Sequence, residues 1–265
     1  MQTQELRSRT SGGASVTTTD RGWILGIQPG TDSEYRLAQL DDYADLSRAA
    51  FGWRAPLAVR LHARVSSASI PGTWGFGLWN NPFGIGCSPT KELARLPALP
   101  QTAWYFSASP KSYLSLSDSK PGQGFFAQVI RSSEPGLWLV AAGIRLPFDR
   151  RSARRRLSQN ISEDGVPAGA DPSGWHSYEI RWQNRSTELL VDGRILLNSP
   201  VSPRTPLGLV IWIDNQYAAF DPEGRVAWGL ECNTEPAWLE VADLLSGSIE
   251  DHGDAGPRPV PRTSR

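Results

Sequence analysis

The chain has 265 residues, with 27 basic and 27 acidic side chains and a formal net charge of zero. Charge balance of this kind argues against a nucleic-acid binder, which normally carries a basic excess. No stretch approaches 18 consecutive apolar residues, so no membrane span is expected, and the hydrophobic fraction of 39% is enough for a real core at this length. β-Sandwiches often run to this size as one unit, so one domain is expected.

In chain order, residues 1–20 are polar and aperiodic and read as a disordered leader. They contain no apolar run of the signal-peptide kind, which points to a cytoplasmic protein. On that reading Asn160 and Asn184 are not glycosylated, although both fit the acceptor pattern. Cys87 and Cys232 are then expected as free thiols.

An ordered body is expected over 21–246. Trp23–Ile27 is a short apolar strand, and 35–43 fits either a strand or a helix. Leu57–Val65 alternates apolar Leu57, Val59, Leu61, Ala63 and Val65 with Ala58, Arg60, His62 and Arg64, the period of a half-buried strand. Thr73–Trp79 follows a Pro-Gly turn. Its Gly75 and Gly77 share a face with Trp79 and leave room there for a close neighbour. Residues 84–100 read as a long loop, and short helices are weighed near 41–50 and 90–96. Trp104–Ser107, Gly124–Arg131 and Leu137–Arg145 are further strands.

The Arg-rich stretch 146–172 breaks the pattern and reads as a solvated excursion, with an anionic docking site as the alternative. Trp175–Trp182, Glu188–Val191 and Arg194–Leu197 follow, the last two joined by the hairpin dipeptide Asp192-Gly193. Leu207–Ile213 is almost continuously apolar and should be a central strand covered on both faces. Val226–Leu230 and Trp238–Leu244 close the domain, and the Pro/Gly-rich tail 247–265 reads as disordered. Many short strands with turn signals between them define an all-β, two-sheet antiparallel sandwich or jelly roll.

The ordered set Trp175–Trp182 (WHSYEIRW), Leu189–Arg194 (LLVDGR), Pro206–Trp212 (PLGLVIW) and Trp238–Leu244 (WLEVADL) resembles the back half of laminarinase-like family 16 glycoside hydrolases. Those belong to the concanavalin A-like superfamily, so the resemblance implies that jelly-roll sandwich. It does not carry the activity. The family places two catalytic glutamates on one strand as E-x-D-x-x-E, and no such pattern occurs here. The nearest counterpart by order, 73–79, has no acid and is followed by Asn80 and Asn81. An amide can serve neither as nucleophile nor as proton donor, so retaining chemistry of that type is not expected.

With three histidines and no H-x-x-x-H or C-x-x-C, no metal site or cofactor is expected. Nor is there a phosphate loop or a G-x-S-x-G elbow. Eleven tryptophans is the unusual count. An indole offers a flat apolar face to a sugar ring, with amides or acids beside it to fix hydroxyls. Two clusters fit: Trp74, Trp79 and Asn80, and Trp212, Asp214 and Asn215. Trp104 joins them, and Arg60 and His62 form a polar wall. The competing readings are core packing for Trp74 and Trp212, turn formation for the polar runs, and a solvated outer face for Arg60, His62 and Arg64.

The expectation is a non-catalytic, lectin-like domain that binds a carbohydrate or another small molecule in an open, Trp-lined concave groove. Two alternatives stand beside it. One is an enzyme on the same scaffold, with a deep pocket and a shifted group among His62, His176, Asp42 and Asp214, or a lyase-like groove of Arg60, His62, Arg64, Tyr105, Gln128 and Arg145. The other is an interaction module. Phe83, Leu93, Leu96 and Leu99 leave room for an apolar ligand.

Overall fold

In the computed structural model the described residues are 5–82, 98–133 and 150–249. The expectations for residues 1–4, the 84–97 loop, Phe83, Cys87, Leu93, Leu96, the strand 137–145, Arg145 and the tail beyond 249 fall outside them.

Sixteen strands are present among the described residues. They are β1 (Arg7–Ser11), β2 (Ser15–Thr18), β3 (Gly22–Ile27), β4 (Leu37–Asp41), β5 (Leu57–Val65), β6 (Thr73–Trp79), β7 (Thr102–Ala108) and β8 (Gly124–Ser132). Then come β9 (Ile161–Pro167), β10 (His176–Trp182), β11 (Thr187–Val191), β12 (Arg194–Ser199), β13 (Gly208–Asp214), β14 (Gln216–Phe220), β15 (Val226–Leu230) and β16 (Ala237–Gly247). The front sheet runs β1-β4-β13-β6-β7-β8-β9 and the back sheet β12-β11-β10-β5-β16-β3-β2, while β14 and β15 form a separate hairpin. All pairings within the two sheets are antiparallel. The expected two-sheet sandwich of the jelly-roll kind is the observed fold.

Period-2 alternation builds the core between the sheets. Leu57, Val59, Leu61, Ala63 and Val65 of β5 meet Trp74, Phe76 and Leu78 of β6 and Leu209, Ile211 and Ile213 of β13. Tyr178, Ile180 and Trp182 of β10 extend it. The phenol of Tyr105 reaches across the sandwich and donates to Leu190 O at 2.6 Å, so a buried hydroxyl is satisfied by the facing sheet. The Asp192-Gly193 turn has φ of 50° and 74°, the left-handed pair that a two-residue hairpin needs.

Three expectations are corrected, and the open choice at 35–43 is decided. Residues 7–18 are not a leader: β1 pairs with β4 and β2 with β3. Edge strands bond through backbone and need no apolar alternation, so nothing in their composition marks them. Residues 35–43 resolve as strand β4, and of the helix weighed near 41–50 only a 3-10 turn, Arg48–Ala50, is present. The Arg-rich excursion contains helix α1 (Arg150–Gln159) followed by β9. Arg154 is buried beneath that helix, bonded to Ser115 O, Phe220 O and Asp118, which fixes what composition suggested was solvated.

Two core tryptophans separate packing from hydrogen bonding. Trp182 Nε1 donates to Ser202 Oγ at 3.1 Å, while buried Trp74 Nε1 has no partner. Trp→Phe removes the same volume at each site, but only at 182 does it break a hydrogen bond. Trp182→Phe is therefore expected to destabilise by about 1 kcal/mol more than Trp74→Phe, read from urea denaturation midpoints.

Candidate functional site

The central strands of the front sheet, β4, β13, β6 and β7, are buried on both faces, and their outer face carries the aromatic residues. Register aligns Arg9, Gln39, Trp212, Gly75, Phe106, Phe126 and Pro167 in one cross-strand row. The next row holds Asp41, Val210, Gly77, Trp104, Gln128 and Gly165. The glycines of β6 supply the room. A Cβ on Gly75 would stand 2.7 Å from Trp212 Cη2, and one on Gly77 2.7 Å from Trp104 Cβ. The Trp212 indole therefore lies directly over β6 at Gly75, and the β7 backbone at Trp104 closes on Gly77, the close approach that the sequence of β6 suggested.

Trp79, Trp104 and Trp212 form a triangle with centroid separations of 5.9, 5.6 and 6.1 Å, and Trp79 and Trp212 are parallel to within 5°. Phe106 and Phe126 continue the cluster on one side, and Tyr43 meets Trp79 edge-on at 6.1 Å. Trp104 (8%) and Trp212 (6%) are nearly closed to solvent, whereas Trp79 is half-buried. Among the described residues, Tyr35, Tyr43, Leu46, Phe51 and Leu114 pack against this face.

Two indole N–H groups open polar relays that end on carboxylates. Trp212 Nε1 donates to Thr73 Oγ1 at 3.0 Å, Thr73 donates to Asp214 Oδ1 at 2.7 Å, and Tyr35 donates to Asp214 Oδ2 at 3.2 Å. Trp104 Nε1 donates to Gln128 Oε1 at 2.8 Å, and Gln128 Nε2 donates to Glu163 Oε1 at 2.7 Å. Glu163 Oε2 accepts from the backbone N–H groups of Leu116 and Ser117. A third group joins Gln39, Asp41, Tyr43 and Arg9, whose Nε lies 2.6 Å from Asp41 Oδ2.

Burial pushes the Asp214 carboxyl up to about 6, against the hydrogen bonds it accepts. Asp42 is likewise pushed up to about 6 by burial, although Trp53 Nε1 and Leu209 N both donate to it. It borders a cleft of about 230 Å³ lined by Glu5, Arg7, Asp42, Ala44, Asp45 and Leu46. The three carboxylates on the outer face are widely spaced. Asp41 pairs with Val210, four residues along β13 from Asp214, a separation of roughly 14 Å. Glu163 lies further still, across five strands from Asp41. None of these spacings matches the about 5–5.5 Å of a retaining glycosidase pair.

The structure brings Trp79, Trp104, Trp212 and Asp214 together and separates the other candidates. Trp74 points into the inter-sheet core. Asn80 is a buried brace: its Nδ2 donates to Leu99 O at 2.9 Å and its Oδ1 accepts from Gln101 N at 3.0 Å. Asn215 is another, joining Arg36 N, Glu34 O and Glu231 O. Strand-end amides thus close turns here. Arg60 and His62 lie on the outer face of the back sheet, across the sandwich from the indoles, where Arg60 pairs with Glu179 at 3.6 Å and His62 with Asp243 at 3.2 Å. Arg64 beside them pairs with Glu240 and lies over the rings of Trp175 and Trp238. This is an ion-paired, solvated face. Of the lyase-like set, Tyr105 is core and Gln128 belongs to the indole face, so no common groove forms. Glu163 and Thr73 were missed, because neither sits in a local motif and only cross-strand register brings them to the indoles. No group of three His, Cys, Asp or Glu side chains that could hold a metal occurs among the described residues.

The architecture and site together define an antiparallel β-sandwich with an aromatic outer face on one sheet. No family model matches the chain. No curated protein matches it either. Among solved structures it is similar to a family 16 endo-glucanase from Bacteroides ovatus, at 7% identity and TM-score 0.45, covering 92% of this chain and 96% of that one. It is also similar to a structure described under endo-acting O-glycanases of the human gut microbiota, at 11% identity and TM-score 0.46, covering 94% of both chains. A third is the binding domain of botulinum neurotoxin DC in complex with SialylT, at 6% identity and TM-score 0.43, covering 94% of this chain and 45% of that one. No helix among the described residues is long and apolar enough to cross a membrane.

The raised carboxyls make a pH prediction. Asp214 binds its proton more tightly folded than unfolded, so stability falls as pH rises from about 4 through about 6 and is level above that. Asp214→Asn is expected to remove a loss on the order of 3 kcal/mol across that window. The slope of unfolding free energy against pH, compared between the two proteins, checks it.

Proposed function

We propose that this domain binds carbohydrate without catalysis, through the outer face of the front sheet at its Trp79 side. The observation that carries the reading is the grouping of Trp79, Trp104 and Trp212 on that face, outside the inter-sheet core. Burial of the sandwich core does not require three indoles there. The relays through Thr73 and Gln128 hold Trp212 and Trp104 in fixed orientation. Both rings then back Trp79, the member of the triangle that retains solvent exposure. A rigid, half-exposed indole backed by two others suits the apolar C–H face of a sugar, and it costs little conformational entropy on binding.

A glycan-array screen followed by calorimetry tests the reading. Trp79→Ala is expected to weaken binding by about tenfold or more, while Trp175→Ala, on the opposite sheet, leaves it unchanged. A folded protein that binds no glycan, or one whose binding ignores Trp79, overturns it.

A second reading, an enzyme that uses a carboxylic acid as proton donor, is favoured by Asp42. Its carboxyl, raised to about 6, borders an open cleft. Turnover of any glycan that is abolished by Asp42→Asn, with glycan binding retained, would establish it in place of the first.

A further inference from the structure

We propose that β15 is a docking edge for a second copy of this chain, forming a two-fold antiparallel β15–β15 pair centred on Trp228. The hydrogen-bond phase of the hairpin gives the edge. Asp221 N donates to Arg225 O, and Glu231 N donates to Asn215 O. In an antiparallel ladder the residues that exchange both bonds alternate with residues that face away. With Gln216 opposite Leu230, the inward pairs are 215/231, 217/229, 219/227 and 221/225. The backbone N–H and C=O of Val226, Trp228 and Leu230 therefore point away from β14. The same phase sends Ala218 and Phe220 off the other side of the hairpin, and both are used there: Tyr113 N donates to Ala218 O, and Phe220 N donates to Tyr113 O. The β14 edge is occupied, and on the β15 edge those three residues have no backbone partner among the described residues.

Side chains agree with the backbone. Trp228 is 72% exposed and Val226 44%, the highest exposure of any large hydrophobic side chain among the described residues being that of Trp228. Proteins ordinarily protect an open edge with charge, proline or a bulge. Here β1 carries Arg7 and Arg9, β9 carries Glu163, Asp164 and Pro167, and β12 carries Arg194. Val226-Ala-Trp-Gly-Leu230 carries none of these.

The occupant follows from self-complementarity. Around a two-fold axis at Trp228, Trp228 faces its own copy, Val226 faces Leu230, and Ala227 faces Gly229. Each outward residue meets an outward residue, giving about six backbone hydrogen bonds and one four-stranded sheet. The flanking residues are Arg225, paired within its own chain to Asp221, and Glu231, buried and bonded within its own chain to Gly72 N, so the contact across the axis is carried by the backbone and by Val226, Trp228 and Leu230. No like charges oppose one another. A two-fold contact of one patch with itself is the commonest closed assembly. The edge is short beside the roughly 1,600 Å² of a standard interface, so the pair is reversible and depends on concentration.

Light scattering on the eluting full-length chain, at concentrations up to about 1 mM, tests this. The mass is expected to rise toward twice 29.1 kDa. Trp228→Lys places like charges across the axis and removes the indoles. Trp228→Pro removes an outward N–H while sparing the β14 ladder. Each is expected to raise the dimer dissociation constant by about tenfold or more with circular dichroism unchanged. A wild-type chain that stays monomeric throughout, or a dimer that survives Trp228→Lys, overturns the proposal. A wild-type chain that binds only an unrelated extended peptide at this edge also overturns it.

Discussion

Burial of the central strands of the front sheet on both faces is the constraint from which the rest of the structure follows. β13 shows it most directly. Leu209, Ile211 and Ile213 enter the inter-sheet core, while Val210, Trp212 and Asp214 enter the outer aromatic face, and every residue of the strand is buried. A polar group buried on such a strand is costly unless it is bonded. On the outer face the indole N–H groups of Trp212 and Trp104 are bonded, through Thr73 to Asp214 and through Gln128 to Glu163.

The same constraint explains the glycines of β6. Indoles from the flanking strands β13 and β7 need area, and a sheet spacing of about 4.8 Å does not provide it when every strand carries a side chain. Gly75 vacates its place on the central strand so that the Trp212 ring can lie across it, and Gly77 admits the close approach of β7 at Trp104. The back sheet has the opposite character. Its outer face is a ladder of Arg60–Glu179, Arg181–Glu188 and Arg64–Glu240 pairs, partly exposed and individually worth little. One molecule thus has a solvated, ion-paired side and an aromatic side, and the carbohydrate proposal rests on that asymmetry.

The raised Asp42 and Asp214 carboxyls belong to this economy of burial. Both are held by donors, Trp53 and Leu209 in one case and Thr73 and Tyr35 in the other, and both are raised because desolvation outweighs those bonds. Only Asp42 faces an open cleft, so only there does the shifted group suggest chemistry rather than packing.

Sequence by itself determined what depends on local period and turn geometry. The alternation of β5, the Asp192-Gly193 hairpin, the apolar run of β13 and the glycines of β6 each specified an element, and together the two-sheet class. Tertiary structure decided which face each residue joins and with what. Trp74 and Trp79 are five positions apart in one strand, and the odd spacing sends one to the core and the other to the outer face. Arg60 and Trp79 both carried the marks of a ligand site, yet they lie on opposite sides of the sandwich. Glu163 reaches Trp104 only through the order β7-β8-β9 and its register. Non-local pairing is written in no single segment: edge strands such as β1 and β9 are held by backbone bonds that any sequence can make, so their partners emerge only when the whole sheet assembles.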